Sequence, residues 1–135
     1  MTYFVGYIAI LVTFVVADMA WLGIMTPRLY RPTLGDILIS SVNLPPGIIF
    51  YLLYPLGLLV FVMSPAFKSG SIETAIVYGA LFGFFTYATY DLTNYATLRN
   101  WTLQLTLADV AWGTILAAIA SAAAFWVVSK LIGVG

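Results

Sequence analysis

The sequence predicts an all-α integral membrane bundle of four transmembrane helices, with both termini on the same side of the membrane. Of the 135 residues, 63% are hydrophobic and only 7% are charged, and the apolar residues form four long segments. A water-soluble domain carries roughly a quarter charged residues. This chain therefore has too few charges to cover itself with a hydrated surface, and the lipid bilayer is its expected solvent.

Each apolar segment provides the roughly 20 residues that a spanning helix needs. The predicted spans cover about residues 3–25, 38–63, 72–92 and 102–131 of a single transmembrane domain, residues 1–135. Pro27 is expected to end the first span, and Pro55 is expected to kink the second. The connection over residues 26–37 is expected to form a short interfacial helix.

Small residues recur at four-residue spacing in the last two spans. Gly79 and Gly83 form a G-x-x-x-G pattern in the third span, and Ala117 and Ser121 have the same spacing in the fourth. Small side chains allow membrane helices to approach closely. We expect this surface to pack inside one bundle, and the alternative is a contact between copies in a homo-oligomer.

The composition excludes several classes of chemistry. The chain contains no Cys and no His, which removes thiol and His-based catalysis and the usual ligands of haem, zinc and iron–sulfur clusters. No cofactor and no metal site is therefore predicted. The formal net charge is zero and no basic run is present, so we expect membrane lipids as partners and no nucleic acid.

Three carboxylates are predicted to lie in one leaflet. Asp18 is late in the first span, Asp91 is at the end of the third, and Asp109 is early in the fourth. The first and third spans end on the side where the fourth begins, and we call this side the acidic end. An ionised Asp within the hydrocarbon costs about 2.5–3.5 kcal/mol on insertion scales, and two adjacent carboxylates do not readily both ionise. The sequence therefore predicts a polar site at the acidic end.

Polar and aromatic side chains nearby complete the candidate site. The candidate binding residues are Asp18, Trp21, Asn43, Tyr90, Asp91, Asn94, Arg99, Asp109 and Trp112, and no catalytic residue is assigned. Arg99 is expected to reach Asp91 if its loop folds back. Alternatively, Asp91 and Asn94 end a helix at the headgroup level, and Asp18 and Asp109 are structural hydrogen-bonding groups between helices. The aromatic residues are expected to form an interfacial belt rather than a ligand pocket.

One short pattern occurs twice. Ala17–Trp21 reads A-D-M-A-W and Ala108–Trp112 reads A-D-V-A-W. In each copy the Asp and the Trp are three residues apart, so they share one helix face. The match pairs the first span with the fourth, which does not support a two-plus-two duplication. We interpret the pattern as a local arrangement of an Asp and a Trp that the chain uses twice.

Three motifs carry a resemblance to a known family. They are D-x-x-W-L-G from Asp18, Y-D-L-T-N-Y-A-T-L-R-N-W from Tyr90 to Trp101, and D-V-A-W-G from Asp109. With them the chain resembles, over essentially its whole length, a bacterial family of predicted membrane proteins, domain of unknown function 2177. The resemblance implies a four-span protein of the bacterial inner (plasma) membrane. It implies no established activity, so it transfers no catalytic residue.

Three hypotheses for the function follow. The favoured one is a site at the acidic end that binds or modifies a lipid or small polar molecule. There Arg99 would hold an anionic head group, and in a catalytic version one Asp would act as general acid or base. The second is proton- or cation-coupled transport by an oligomer. The third is a non-catalytic accessory subunit of a larger membrane complex.

Overall fold

Four long helices make up a computed structural model that describes residues 1–133. We label them α1 (Thr2–Ile37), α2 (Leu44–Ser69), α3 (Ile72–Thr97) and α4 (Leu103–Leu131), and each is long and apolar enough to cross a membrane. The prediction of an all-α bundle with four spans is confirmed. Because consecutive spans run in opposite directions, α1 and α4 are antiparallel.

α1 changes its winding after Met25. It is α-helical over Thr2–Met25 and continues through a wider π-helical turn, Thr26–Tyr30, with Pro27 at its start. A single α-turn and a 3-10 turn, Gly35–Ile37, complete the helix. The expected interfacial helix is therefore continuous with the first span. This tail turns back onto the bundle, where Leu34 packs with the beginning of α4.

α2 begins later than the sequence suggested. Its first residue is Leu44 rather than a residue near position 38, and Pro45 and Pro46 occupy its first turn. Proline is suited to this position because the first backbone N–H groups of a helix have no partner within the helix. The preceding connection contains Ser40 and Asn43, both of which are exposed.

α3 is longer than predicted because its polar residues continue the helix. The expected end was near residue 92, but α3 extends to Thr97. The hydroxyl groups of Thr89, Thr93 and Thr97 each donate to the backbone carbonyl four residues earlier, at 2.6–2.8 Å. Hydroxyls bonded in this way do not interrupt the helix. Asp91 therefore lies inside a helix and not at its end.

α3 and α4 pack closely along their small residues. A Cβ atom at Gly79 would lie 2.9 Å from the carbonyl oxygen of Ala117, and one at Gly83 would overlap the carbonyl oxygen of Gly113. The glycine pattern thus serves packing inside the bundle, as expected. Beyond this contact and away from the acidic end, the interior is apolar, with Ile10 and other aliphatic and aromatic side chains fully buried.

We expect Gly83→Ala to destabilise the bundle by about 1–3 kcal/mol, the usual cost of an overpacked interior. The added methyl group would push α3 away from the α4 backbone. Gly23→Ala is the matched control, because a Cβ at Gly23 meets nothing within 4 Å. The control should be neutral or stabilising, since Ala favours a helix over Gly by about 1 kcal/mol. Thermal unfolding followed by circular dichroism in one detergent compares the two, and equal effects would contradict the close α3–α4 packing.

Candidate functional site

The two copies of the Asp–Trp pattern meet face to face at the acidic end. The indole rings of Trp21 and Trp112 stack with their centroids 4.6 Å apart and their planes at 4°. Because α1 and α4 are antiparallel, the Asp of each copy lies level with the Trp of the other. The repeated pattern therefore forms one reciprocal contact between the first and last helices.

Asp18 is held by donors from two other helices. The Trp112 indole Nε1 donates to Asp18 Oδ1 at 3.0 Å, and the Tyr51 hydroxyl donates to Oδ2 at 2.5 Å. Asp18 is only 6% exposed, so these neutral donors replace the water that its carboxylate loses. A hydrogen bond to a charged group contributes about 1.5–3 kcal/mol. Asp18 thus joins α1, α2 and α4.

Asp109 has a similar arrangement, except that one further side chain lies between the acid and the indole. The Tyr30 hydroxyl donates to Asp109 Oδ1, and the Trp21 indole Nε1 donates to the Tyr30 hydroxyl oxygen at 2.8 Å. The π-helical turn of α1 brings Tyr30 into this position. The contact from Trp21 to Asp109 is therefore relayed through a phenol, whereas the contact from Trp112 to Asp18 is direct.

Asp91 is buried without a hydrogen-bond donor among the residues that the structure describes. Its side chain is 0% exposed and neither carboxyl oxygen has a hydrogen-bond partner, and the neighbouring charge that acts on it is that of Asp109. The expectation that Arg99 would reach Asp91 is wrong, because the Asp91 oxygens have no partner and Arg99 is exposed. Two neighbouring carboxyl groups away from water do not readily both ionise.

A cavity of about 780 Å³ opens beside these acids. Its polar lining includes Asp18, Asp109 and Tyr30, together with Thr26 and Thr86. The remaining wall is aromatic and aliphatic, and its aromatic members are Trp21, Phe50, Tyr54, Tyr87, Tyr90 and Trp101. Tyr87 is positioned by α4, where its ring occupies the space that a side chain at Gly113 would fill. Pockets for small molecules typically measure about 300–1,000 Å³, so the cavity has the size of a ligand site.

The structure brings together most of the predicted site residues. Asp18, Trp21, Tyr90, Asp91, Asp109 and Trp112 lie at the cavity or contact residues that line it. Asn43, Asn94 and Arg99 are outside the cavity wall. The stacked tryptophans lie between helices, and Trp101 is buried. These rings pack within the protein, and their position at a membrane–water interface stays a prediction.

Sequence reasoning identified Tyr90 but missed the phenols of Tyr30, Tyr51 and Tyr54. Tyr51 and Tyr54 are three residues apart in the second span, a spacing that places them on one helix face and could have identified them. Tyr30 gave no comparable signal, because its position depends on the π-helical turn. Over residues 1–133, no group of three or more acidic, His or Cys side chains is arranged to hold a metal ion.

Residues 3–126 match the model of a family described as predicted membrane protein (DUF2177), and the chain belongs to this family. The family description and the four apolar helices agree that this is a membrane protein. No curated protein and no solved structure matches the chain.

Trp112→Phe is expected to lower the free energy of unfolding by about 1–3 kcal/mol, because a buried acceptor loses its donor while an aromatic ring remains. Trp126→Phe is the control, since Trp126 lies towards the opposite end of α4 and is exposed. The measurement is thermal unfolding by circular dichroism in matched detergent. Similar midpoints for the two variants would show that the bond to Asp18 contributes nothing.

Proposed function

We propose that this protein binds an amphipathic small molecule or a lipid in the cavity at the acidic end, within a bacterial inner membrane. The observation that carries the proposal is the pairing of a large apolar cavity with two carboxylates on one wall. A ligand with a polar head and an apolar tail would satisfy both parts of this surface. Membrane lipids are thus the proposed partners, and no resident cofactor and no nucleic acid is involved.

The position of α2 supports entry from the bilayer. Its first half contributes Pro46, Gly47 and Phe50 to the cavity wall, while its neighbours Ile48 and Ile49 are exposed on the outer face of the bundle. One helix therefore separates the cavity from the surrounding lipid on this side. Entry beside this helix would let an amphipathic molecule reach the site from the acyl chains without crossing water.

The carboxyl pair also suits a catalytic function. Asp109 lines the cavity, and Asp91 is buried and coupled to it electrostatically. Through Asp109 the pair would exchange a proton with a bound molecule, as general acid–base catalysis requires. Binding is the function that the geometry favours, and modification of the bound molecule would use this pair.

Transport is less favoured by the same geometry. The interior away from the acidic end is filled by Ile10, Phe14, Leu58, Met63 and other apolar side chains that are fully buried. A transported ion or proton needs polar groups along its path, and this region is filled by apolar side chains. No specific contact favours an accessory subunit over a binding protein.

Gly47→Trp should displace the bound molecule by filling the cavity. A Cβ at Gly47 meets nothing within 4 Å, so the new side chain can enter the space without disturbing its neighbours. Gly23→Trp is the matched control, because Gly23 has equally open surroundings but does not line the cavity. Native mass spectrometry of protein released from its own membrane would count retained molecules. We expect a specific adduct in the wild type and in Gly23→Trp and most of it lost in Gly47→Trp, and equal retention by both variants would overturn the proposal.

A further inference from the structure

We infer that the cavity selects a cationic head group, an amine or ammonium carried on an apolar tail. This inference rests on the proposed function and assigns the class of ligand to the same site. It departs from the sequence-based hypothesis, in which Arg99 held an anionic head group.

The charges of the cavity wall have one sign. Asp18 and Asp109 line the cavity, and the wall as the structure describes it contains no Lys or Arg. The arginines of this end, Arg28, Arg31 and Arg99, are exposed. Charges in water are screened over a Debye length of about 8 Å at physiological salt. The wall itself is therefore acidic, and an anionic head group would face carboxylates with no basic partner.

The donors that hold the acids are neutral. Asp18 accepts from an indole and a phenol, and Asp109 accepts from the Tyr30 hydroxyl. Such donors stabilise a carboxylate without cancelling its charge. A cation in the cavity would supply the compensation that the protein itself does not provide.

Asp91 adds to the acidity behind the cavity wall. It is fully buried, neither of its carboxyl oxygens has a hydrogen-bond partner, and the charge of Asp109 acts on it. It does not line the cavity, so it acts on the site only through Asp109. A cation held at Asp109 would make it easier for both acids to carry charge.

The aromatic wall favours the same class of ligand. Trp21, Tyr30, Tyr87, Tyr90 and Trp101 line one space. A ring attracts a cation held over its face, and aromatic cages are a common way for proteins to bind quaternary ammonium groups. Acidic and aromatic side chains thus both favour a cation, and the aliphatic lining accepts the tail.

The test uses three probes with the same ten-carbon chain: decyltrimethylammonium, decanol and decanoate. The wild-type protein is placed in nanodiscs of uncharged phosphatidylcholine lipid, and native mass spectrometry measures the bound fraction against concentration. Empty nanodiscs correct for partitioning into the lipid. We expect the ammonium to bind on the order of tenfold more tightly than decanol, the size of one desolvated cation–aromatic contact, and decanoate to bind more weakly than decanol.

Two variants assign the preference to the site. Asp109→Asn can still accept from Tyr30, and it should reduce the ammonium preference while leaving decanol binding unchanged. Tyr90→Leu removes a partly exposed ring and should also reduce the ammonium preference. It replaces Asp109→Asn as the site variant if that protein does not fold. Asp36→Asn is the control, because Asp36 is an exposed acid at the same end outside the cavity wall.

The outcomes separate the two proposals. Decanoate binding as tightly as the ammonium, or an unchanged preference in both site variants, would overturn the cationic head group and leave amphiphile binding intact. Failure of all three probes to bind the wild type would overturn amphiphile binding in the cavity, and the cationic preference with it.

Discussion

The reciprocal contact between α1 and α4 is the interaction on which the acidic end depends. Two antiparallel helices carry the same Asp–Trp spacing, so each carboxylate meets an indole from the other helix, directly at Asp18 and through Tyr30 at Asp109. The stacked rings of Trp21 and Trp112 fill the space between them. Buried acids normally oppose insertion into a membrane. Here the acids need partners on another helix, and this need fixes the register of the pair.

The other helices are arranged around this contact. Tyr51 brings α2 to Asp18, and the glycines of α3 allow it to lie close against α4. Asp91, farther along the same helix, is fully buried and is affected by the charge of Asp109. The first half of α2 contacts the bundle less closely, and the cavity opens between it and the other helices. The packing that stabilises the bundle therefore also shapes the site.

Much of this could be predicted from sequence, and the failures have physical causes. The four spans follow from hydropathy, and the depths of Asp18 and Asp109 follow from their positions in those spans. The reciprocal contact was not predicted, because local spacing does not say which helices touch. Asp91 is expected at a helix end because the apolar segment stops near residue 92, but the threonines after it continue the helix, with hydroxyls bonded to its own backbone. Tyr30 depends on a π-helical turn, for which the sequence gave no signal.

The missing ion pair has the largest consequence for the site. Had Arg99 paired with Asp91, as the sequence suggested, one of the three acids would have been compensated within the protein. Instead, the described structure provides Asp18 and Asp109 with neutral donors and leaves both oxygens of Asp91 without a partner. Indoles and phenols can stabilise these acids in a fold that crosses a membrane, but they do not remove a negative charge. Two of the acids line the cavity, and the proposed cationic ligand would supply the positive charge that the cavity wall lacks.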